Sequence, residues 1–306
     1  MVSPAWSLAL APLALAACGP RTPRVPDDLA DQGVHRIRLD TGDAHGLSGL
    51  ALAADGALWT VAERASAAFR IELDLGRVPP TVRAIERWPL IGLPGGEDLE
   101  ALAVLDDGAL LLGTEGGARG RVHARTAVRA GDRFEQRGEP VALAADQLGV
   151  DAGGNHGIEG ACALPGLAVL AVEATERDAD GRWAPVILVR DAAGAVPSPP
   201  VVRRLRLTTD TGKLSGLDCW RQGDRRRAIA IERHFAVTRI LAFELDGDGP
   251  IIPTVVRDLG PVLRGALNLE GLVRLPDGHL VAVVDNQYGR LTGPDELVWL
   301  ADVPSW

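Results

Sequence analysis

The chain has 306 residues, 46% of them hydrophobic and 24% charged, with 36 Gly and 21 Pro. That apolar fraction excludes a disordered chain, and the lack of a second long apolar run excludes a polytopic membrane protein. The 41 acidic against 32 basic residues give a net charge of −9, which argues against a nucleic-acid partner. Lys213 is the only lysine among those basic residues, a skew that reads as genome composition rather than function.

Ala5 to Ala17 is an apolar run broken by Pro12, too short to cross a bilayer as a helix but suited to the core of a secretory signal. It ends in Leu15-Ala16-Ala17-Cys18, which resembles the bacterial lipobox. Cys18 is therefore the expected lipidation site and residues 1–18 the signal peptide, although no Lys or Arg precedes the apolar run. Residues 19–33, with Pro20, Pro23 and Pro26 among Arg and Asp, read as a tether. The expectation is a cell-envelope protein, bound to the membrane by its lipid, with a periplasmic or surface-facing domain over 34–306.

That domain repeats. Five segments share one pattern: Leu47-Ser48-Gly49-Leu50, Leu99-Glu100-Ala101-Leu102, Ile158-Glu159-Gly160-Ala161, Leu214-Ser215-Gly216-Leu217 and Leu269-Glu270-Gly271-Leu272. Taking the Ser or Glu as anchor (48, 100, 159, 215, 270), the spacings are 52, 59, 56 and 55 residues. Each anchor opens an apolar strand, a turn follows, and a second apolar strand ends in an acid. Asp55-Gly56, Asp107-Gly108 and Asp277-Gly278 predict tight type I′ hairpins. Repeat three turns at Pro165-Gly166, and repeat four through a looser loop around Gly223-Asp224. Two more strands follow in each repeat, near Phe69–Leu73 and Val82–Trp88 in the first and near Thr238–Leu245 and Ile251–Arg257 in the fourth.

Four antiparallel strands per repeat make a β-propeller blade. The predicted fold is all-β, a five-bladed β-propeller, with a six-bladed ring as the alternative. Residues 270–306 and 34–47 together complete one more repeat length, so Val34–Leu39 should close the last blade. A monomer is expected. Cys162 and Cys219 fall in the inner strands of consecutive repeats, and two buried free thiols are expected there ahead of a disulfide.

A two-residue turn would set each anchor opposite the acid fifteen residues on: Ser48 with Glu63, Glu100 with Glu115, Glu270 with Asp285. Glu159 with Glu173 and Ser215 with Glu232 are offset, so local bulges are expected in those two repeats. Opposed carboxylates repel unless a cation or a shared proton intervenes. Glu100, Glu115, Glu159, Glu173, Glu270, Asp285 and Asn286 are thus candidate ligands for a hard cation, Ca²⁺ first, with Glu63, Asp98, Asn155 and Asn268 nearby. The alternative is that the acids accept backbone N–H groups and act as structural pins. Arg64 and Arg233 follow the closing acids of the two Ser-anchored repeats; they are candidate contacts to an anionic substrate, or partners of neighbouring Glu. His45, His156 and His234 lie near the same mouth, and His156 and His234 are the candidate general bases.

The series Leu47-Ser48-Gly49-Leu50, Asn155-His156-Gly157-Ile158-Glu159-Gly160, Ile231-Glu232-Arg233-His234-Phe235, Asn268-Leu269-Glu270-Gly271-Leu272 and Val284-Asp285-Asn286 resembles the phytase-like β-propeller family, also called esterase-like activity of phytase. The similarity spans about residues 45–290, in the right order. It departs at Ala62-Glu63-Arg64, where Ser-Asp-Arg is usual, and at Val284, where Ser is usual. The resemblance implies hydrolysis of a small phosphoester or ester substrate. The alternative is a non-catalytic propeller that binds a ligand or an envelope protein. No Gly-x-Ser-x-Gly elbow or zinc-protease motif is present. Glu244-x-Asp246-x-Asp248-Gly249 resembles half a calcium loop but has Val255 at the twelfth position, so it reads as a polar turn.

Overall fold

A computed structural model describes residues 25–26, 28–63, 65–94, 98–115, 120–153, 156–190, 199–286 and 293–301. The signal peptide with Cys18, most of the tether, Arg64 and Asn155 lie outside the described residues. No helix among those described is long and apolar enough to cross a membrane.

The described strands form five antiparallel units, each with one anchor on its innermost strand. The inner strands are Leu47–Leu52, Asp98–Val104, Ile158–Leu164, Lys213–Gln222 and Leu269–Arg274. Each packs on the next, and the fifth packs on the first, so the units close into a ring. In unit one the order outward is Leu58–Ala62, Ala67–Asp74 and Thr81–Ile91. Among the described residues unit five has two further strands of its own, Leu280–Val284 and Glu296–Leu300, and Val34–Arg38 pairs with the latter from Val34↔Leu300 to Arg38↔Glu296. Strands from the beginning and the end of the described residues thus complete one sheet, as the repeat count predicts.

Apolar side chains on both faces of each inner strand explain the closure. The buried residues divide into five layers, one between each pair of consecutive units. Ala101 and Ala103 face unit three while Leu102 faces unit one, the alternation of a strand buried on both sides. At the ring's narrowest point the residue after each anchor must be small. A Cβ on Gly49 would lie 2.6 Å from Leu102 N, and one on Gly271 would lie 2.6 Å from Leu50 N.

Several expectations are corrected. The anchors do not oppose the closing acids. The three Asp-Gly hairpins have three loop residues, not two: Ala53 N bonds Ala57 O, with Gly56 at φ 83° and the Asp55 carboxylate accepting Ala57 N. A bulge beside the anchor then adds one more residue, in all five units rather than two. These two single-residue shifts leave Glu115 opposite Asp98, and Asp285 opposite Asn268. Unit four turns tightly, between Gln222 and Arg225, rather than through a loose loop.

Cys162 and Cys219 are not free thiols. They form a disulfide between the inner strands of units three and four, with Cα atoms 5.7 Å apart. Both strands present them to the one layer they share, so the cysteines face each other rather than different layers.

Candidate functional site

The bulges put one register position of every unit at the same mouth. Opposite the residue two before each anchor stand Glu63, Glu115, Glu173, Arg233 and Asp285. Four units supply an acid there and unit four a guanidinium, because its Glu232 falls one place earlier, opposite Leu214. Lys213 faces Arg233 across the same pair of strands. Unit four therefore sets two cations into a ring otherwise made of carboxylates.

The anchors behave according to chemistry. Ser48 Oγ donates to Glu100 O at 2.8 Å and Ser215 Oγ to Leu269 O at 2.8 Å, so both serines tie one inner strand to the next. Glu100, Glu159 and Glu270 are buried instead among one another and the closing acids. Glu270 accepts from Arg233, with Nε at 3.3 Å, and from Asn268 Nδ2 at 2.8 Å; Asn268 also donates to Asp285 Oδ2 at 2.9 Å. Glu232 is saturated, accepting from the N–H and hydroxyl groups of both Thr208 and Thr209. It is a pin. Asn286 accepts from Gly46 N at 3.2 Å and donates to Asp295 Oδ1 at 2.8 Å, which ties loops together at the mouth.

Three acids stand apart from these saturated groups. One carboxylate oxygen from each of Glu115, Glu159 and Glu173 lies within 4.8 Å of the other two. Oxygens bound to one Ca²⁺ at about 2.3–2.6 Å would sit no farther apart than roughly that. Glu173 Oε1 accepts from Lys213 Nζ at 2.9 Å, while its Oε2 is buried with no hydrogen-bond partner among the described residues. A buried carboxylate oxygen without a partner is costly, and a hard cation is the partner an all-oxygen set suits.

Crowding shows in the acidities. Burial, then neighbouring carboxylates, push Glu100 and Glu159 well above the ordinary range. Burial and Glu173 push Glu115 up to about 7. Burial raises Glu270 to about 7 although Arg233 opposes it. Raised acids stabilise the fold below the unfolded value of 4.5, and that contribution disappears as pH rises towards 7. Cation-free protein should therefore melt progressively lower between pH 4.5 and 7, by several degrees; saturating Ca²⁺ should flatten the curve. Asp218, raised to about 6 by burial at the far end of the ring, acts in the same direction. Asp218→Asn measures its share, and a flat cation-free melting curve in Asp218→Asn would contradict the crowding of the acids.

His234 stands beside this group, half-buried and held below its usual range by burial, then Lys213, Arg182 and Arg233. His156 is exposed at the same end, and His45 pairs with Asp295 at 3.5 Å. Asp246 of the calcium-like segment is bound to Arg226 at 2.7 Å, as a polar turn requires. Lys213, which bonds Glu173 and faces Arg233, is a further candidate that the repeat pattern does not single out. Its being the sole lysine is the one signal that could have singled it out.

Residues 42–288 match the model of the phytase-like family, described as esterase-like activity of phytase. The chain belongs to the phytase-like family. The matched span holds all five anchors and closing acids. No curated protein sequence matches the chain. Among solved structures, a thermostable family-43 glycoside hydrolase is similar at 11% identity and a TM-score of 0.48, over 86% of this chain and 91% of that one. The PQQ-bound aldose sugar dehydrogenase of Streptomyces coelicolor is similar at 14% identity and a TM-score of 0.44, over 87% and 98%. A streptogramin B lyase is similar at 11% identity and a TM-score of 0.37, over 87% and 97%.

Proposed function

We propose that this phytase-like propeller is a Ca²⁺-dependent hydrolase of small anionic phosphoesters or esters, held at the cell envelope by a lipid on Cys18. The carrying observation is the group Glu115, Glu159 and Glu173 with its unpartnered buried oxygen. Bound there, a divalent cation would polarise a phosphoryl or carbonyl oxygen and offset developing negative charge. Lys213 and Arg233 draw an anionic substrate to this side of the mouth and orient it. His234, kept neutral near pH 7, accepts a proton from the attacking water. The disulfide supports export, since such bonds persist in oxidising compartments.

The second reading, a non-catalytic ligand- or protein-binding propeller, draws support from the saturation of both anchor serines and Glu232 by backbone or threonine partners. Assays with aryl phosphates and aryl esters, with Ca²⁺ or chelator, separate the two. Turnover that requires Ca²⁺ and falls at least about a hundredfold in Glu159→Gln is expected. Saturable binding with no turnover of any substrate would establish the second reading. A Cys18→Ala variant should move from the membrane fraction to the soluble one.

A further inference from the structure

Phe235 combines two features unfavourable for a large apolar side chain. Arg225–His234 and Val237–Glu244 pair from His234↔Val237 outward, which leaves Phe235 and Ala236 as a two-residue turn. Phe235 takes φ 46°, the left-handed region that such turns normally fill with Gly, Asn or Asp. The residue is 84% exposed, more than any other large hydrophobic residue among those described. The fold would be served better by a small or polar residue on both counts. The corresponding places after Glu63, Glu115, Glu173 and Asp285 hold Ala65, Gly117, Thr175 and Gln287, none of them aromatic.

Its surroundings indicate a use. The ring packs edge-on against His234, with centroids 4.3 Å apart. His234 in turn lies within the field of Lys213, Arg182, Arg233 and Glu173. An aromatic face thus stands on the rim directly beside the two cations of the acidic ring. We infer that Phe235 is a specificity-determining residue, a shelf for the apolar aryl portion of a substrate whose anionic group enters between Lys213 and Arg233. This rests on the anion-binding part of the proposed function and adds the substrate class: aryl-substituted anions are preferred over small alkyl ones.

Binding, not turnover, tests it. Phenylphosphonate and methylphosphonate carry the same head group and are not hydrolysed, and each would be titrated calorimetrically into the Ca²⁺-loaded protein. Wild type should favour the phenyl compound by about tenfold, the scale of one added aromatic contact. Phe235→Asn should reduce that preference to less than about twofold, and Phe235→Leu should retain part of it. Phe235→Asn should melt no lower than wild type, because Asn adopts positive φ more readily, so lost preference would not reflect unfolding. Equal affinity of wild type for the two compounds, or a preference intact in Phe235→Asn, would overturn the shelf while leaving the anion site standing. Failure of wild type to bind either compound would overturn both.

Discussion

Chelating divalent cations at neutral pH should lower the melting temperature by roughly 5–10 °C, and Glu159→Gln should remove most of that loss. A ligand at a hundredfold excess over its dissociation constant stabilises the folded state by about 2.7 kcal/mol. In a domain of this size each kcal/mol moves the midpoint by about 2–4 °C. Glu159 is the informative position because of how its neighbours are already satisfied. Glu270 is held by Arg233 and Asn268, and Glu173 is half-satisfied by Lys213. Glu159 is buried against carboxylates, with Glu270, Glu173 and Glu115 all opposing its charge and the field of Arg233 favouring it less strongly.

The isosteric amide removes that repulsion without leaving a hole. Chelated Glu159→Gln should therefore melt above chelated wild type, an inversion that a merely weakened site would not produce. Glu232→Gln provides the contrast. Glu232 accepts four hydrogen bonds from Thr208 and Thr209, so its loss should destabilise the protein equally with and without cation. If loaded and chelated wild type melt together and Glu159→Gln changes nothing, the acids are structural pins. The hydrolase reading then loses its physical basis.

The repeat, the closing strand and the cluster of acids were legible in the sequence because each depends on periodicity, and periodicity survives small local errors. Val34–Arg38 could be placed in the last sheet by counting alone. Which acids meet could not be found that way. Side-chain contact depends on register to the single residue, and two shifts of one residue each intervened. One was the third loop residue at Ala54-Asp55-Gly56 and its counterparts; the other was the bulge at each anchor. Neither changes the hydrophobic pattern, since a bulge lets the strand resume its alternation on the same faces. In unit four, which has a two-residue turn, the bulge alone moves Glu232 opposite Leu214 and so puts Arg233 where the other four units have an acid, with Lys213 opposite it. The cations of the site were hidden for the same reason that its acids appeared to be opposed in pairs.

Removing the Cys162–Cys219 bond, by Cys162→Ala with Cys219→Ala, should cost about 4 kcal/mol of unfolding free energy and lower the melting temperature by roughly 10 °C. The cysteines are 57 residues apart, and a loop of that length loses much of its unfolded-state entropy when closed. That loop holds all four strands of unit three beyond its inner one, so the bond fastens a whole unit to its neighbour. Each seam of the ring is otherwise held by an apolar layer and a few hydrogen bonds. The bond also borders a cavity of about 180 Å³ at the end of the ring opposite the acids, lined by Asp218, Trp220 and Arg274. There Asp218 reaches across the seam to unit five, accepting Arg274 N at 2.7 Å. Losing the bond should consequently loosen unit three first, and hydrogen exchange should quicken at Ile158–Leu164 and Lys213–Gln222 before it does at Leu269–Arg274. Both sulfurs belong to buried residues, so added reductant should act only as fast as the native ring opens. Unchanged unfolding midpoints in the double alanine variant would mean that the apolar layer alone carries the seam, and that unfolded-chain entropy is not what the bond restrains.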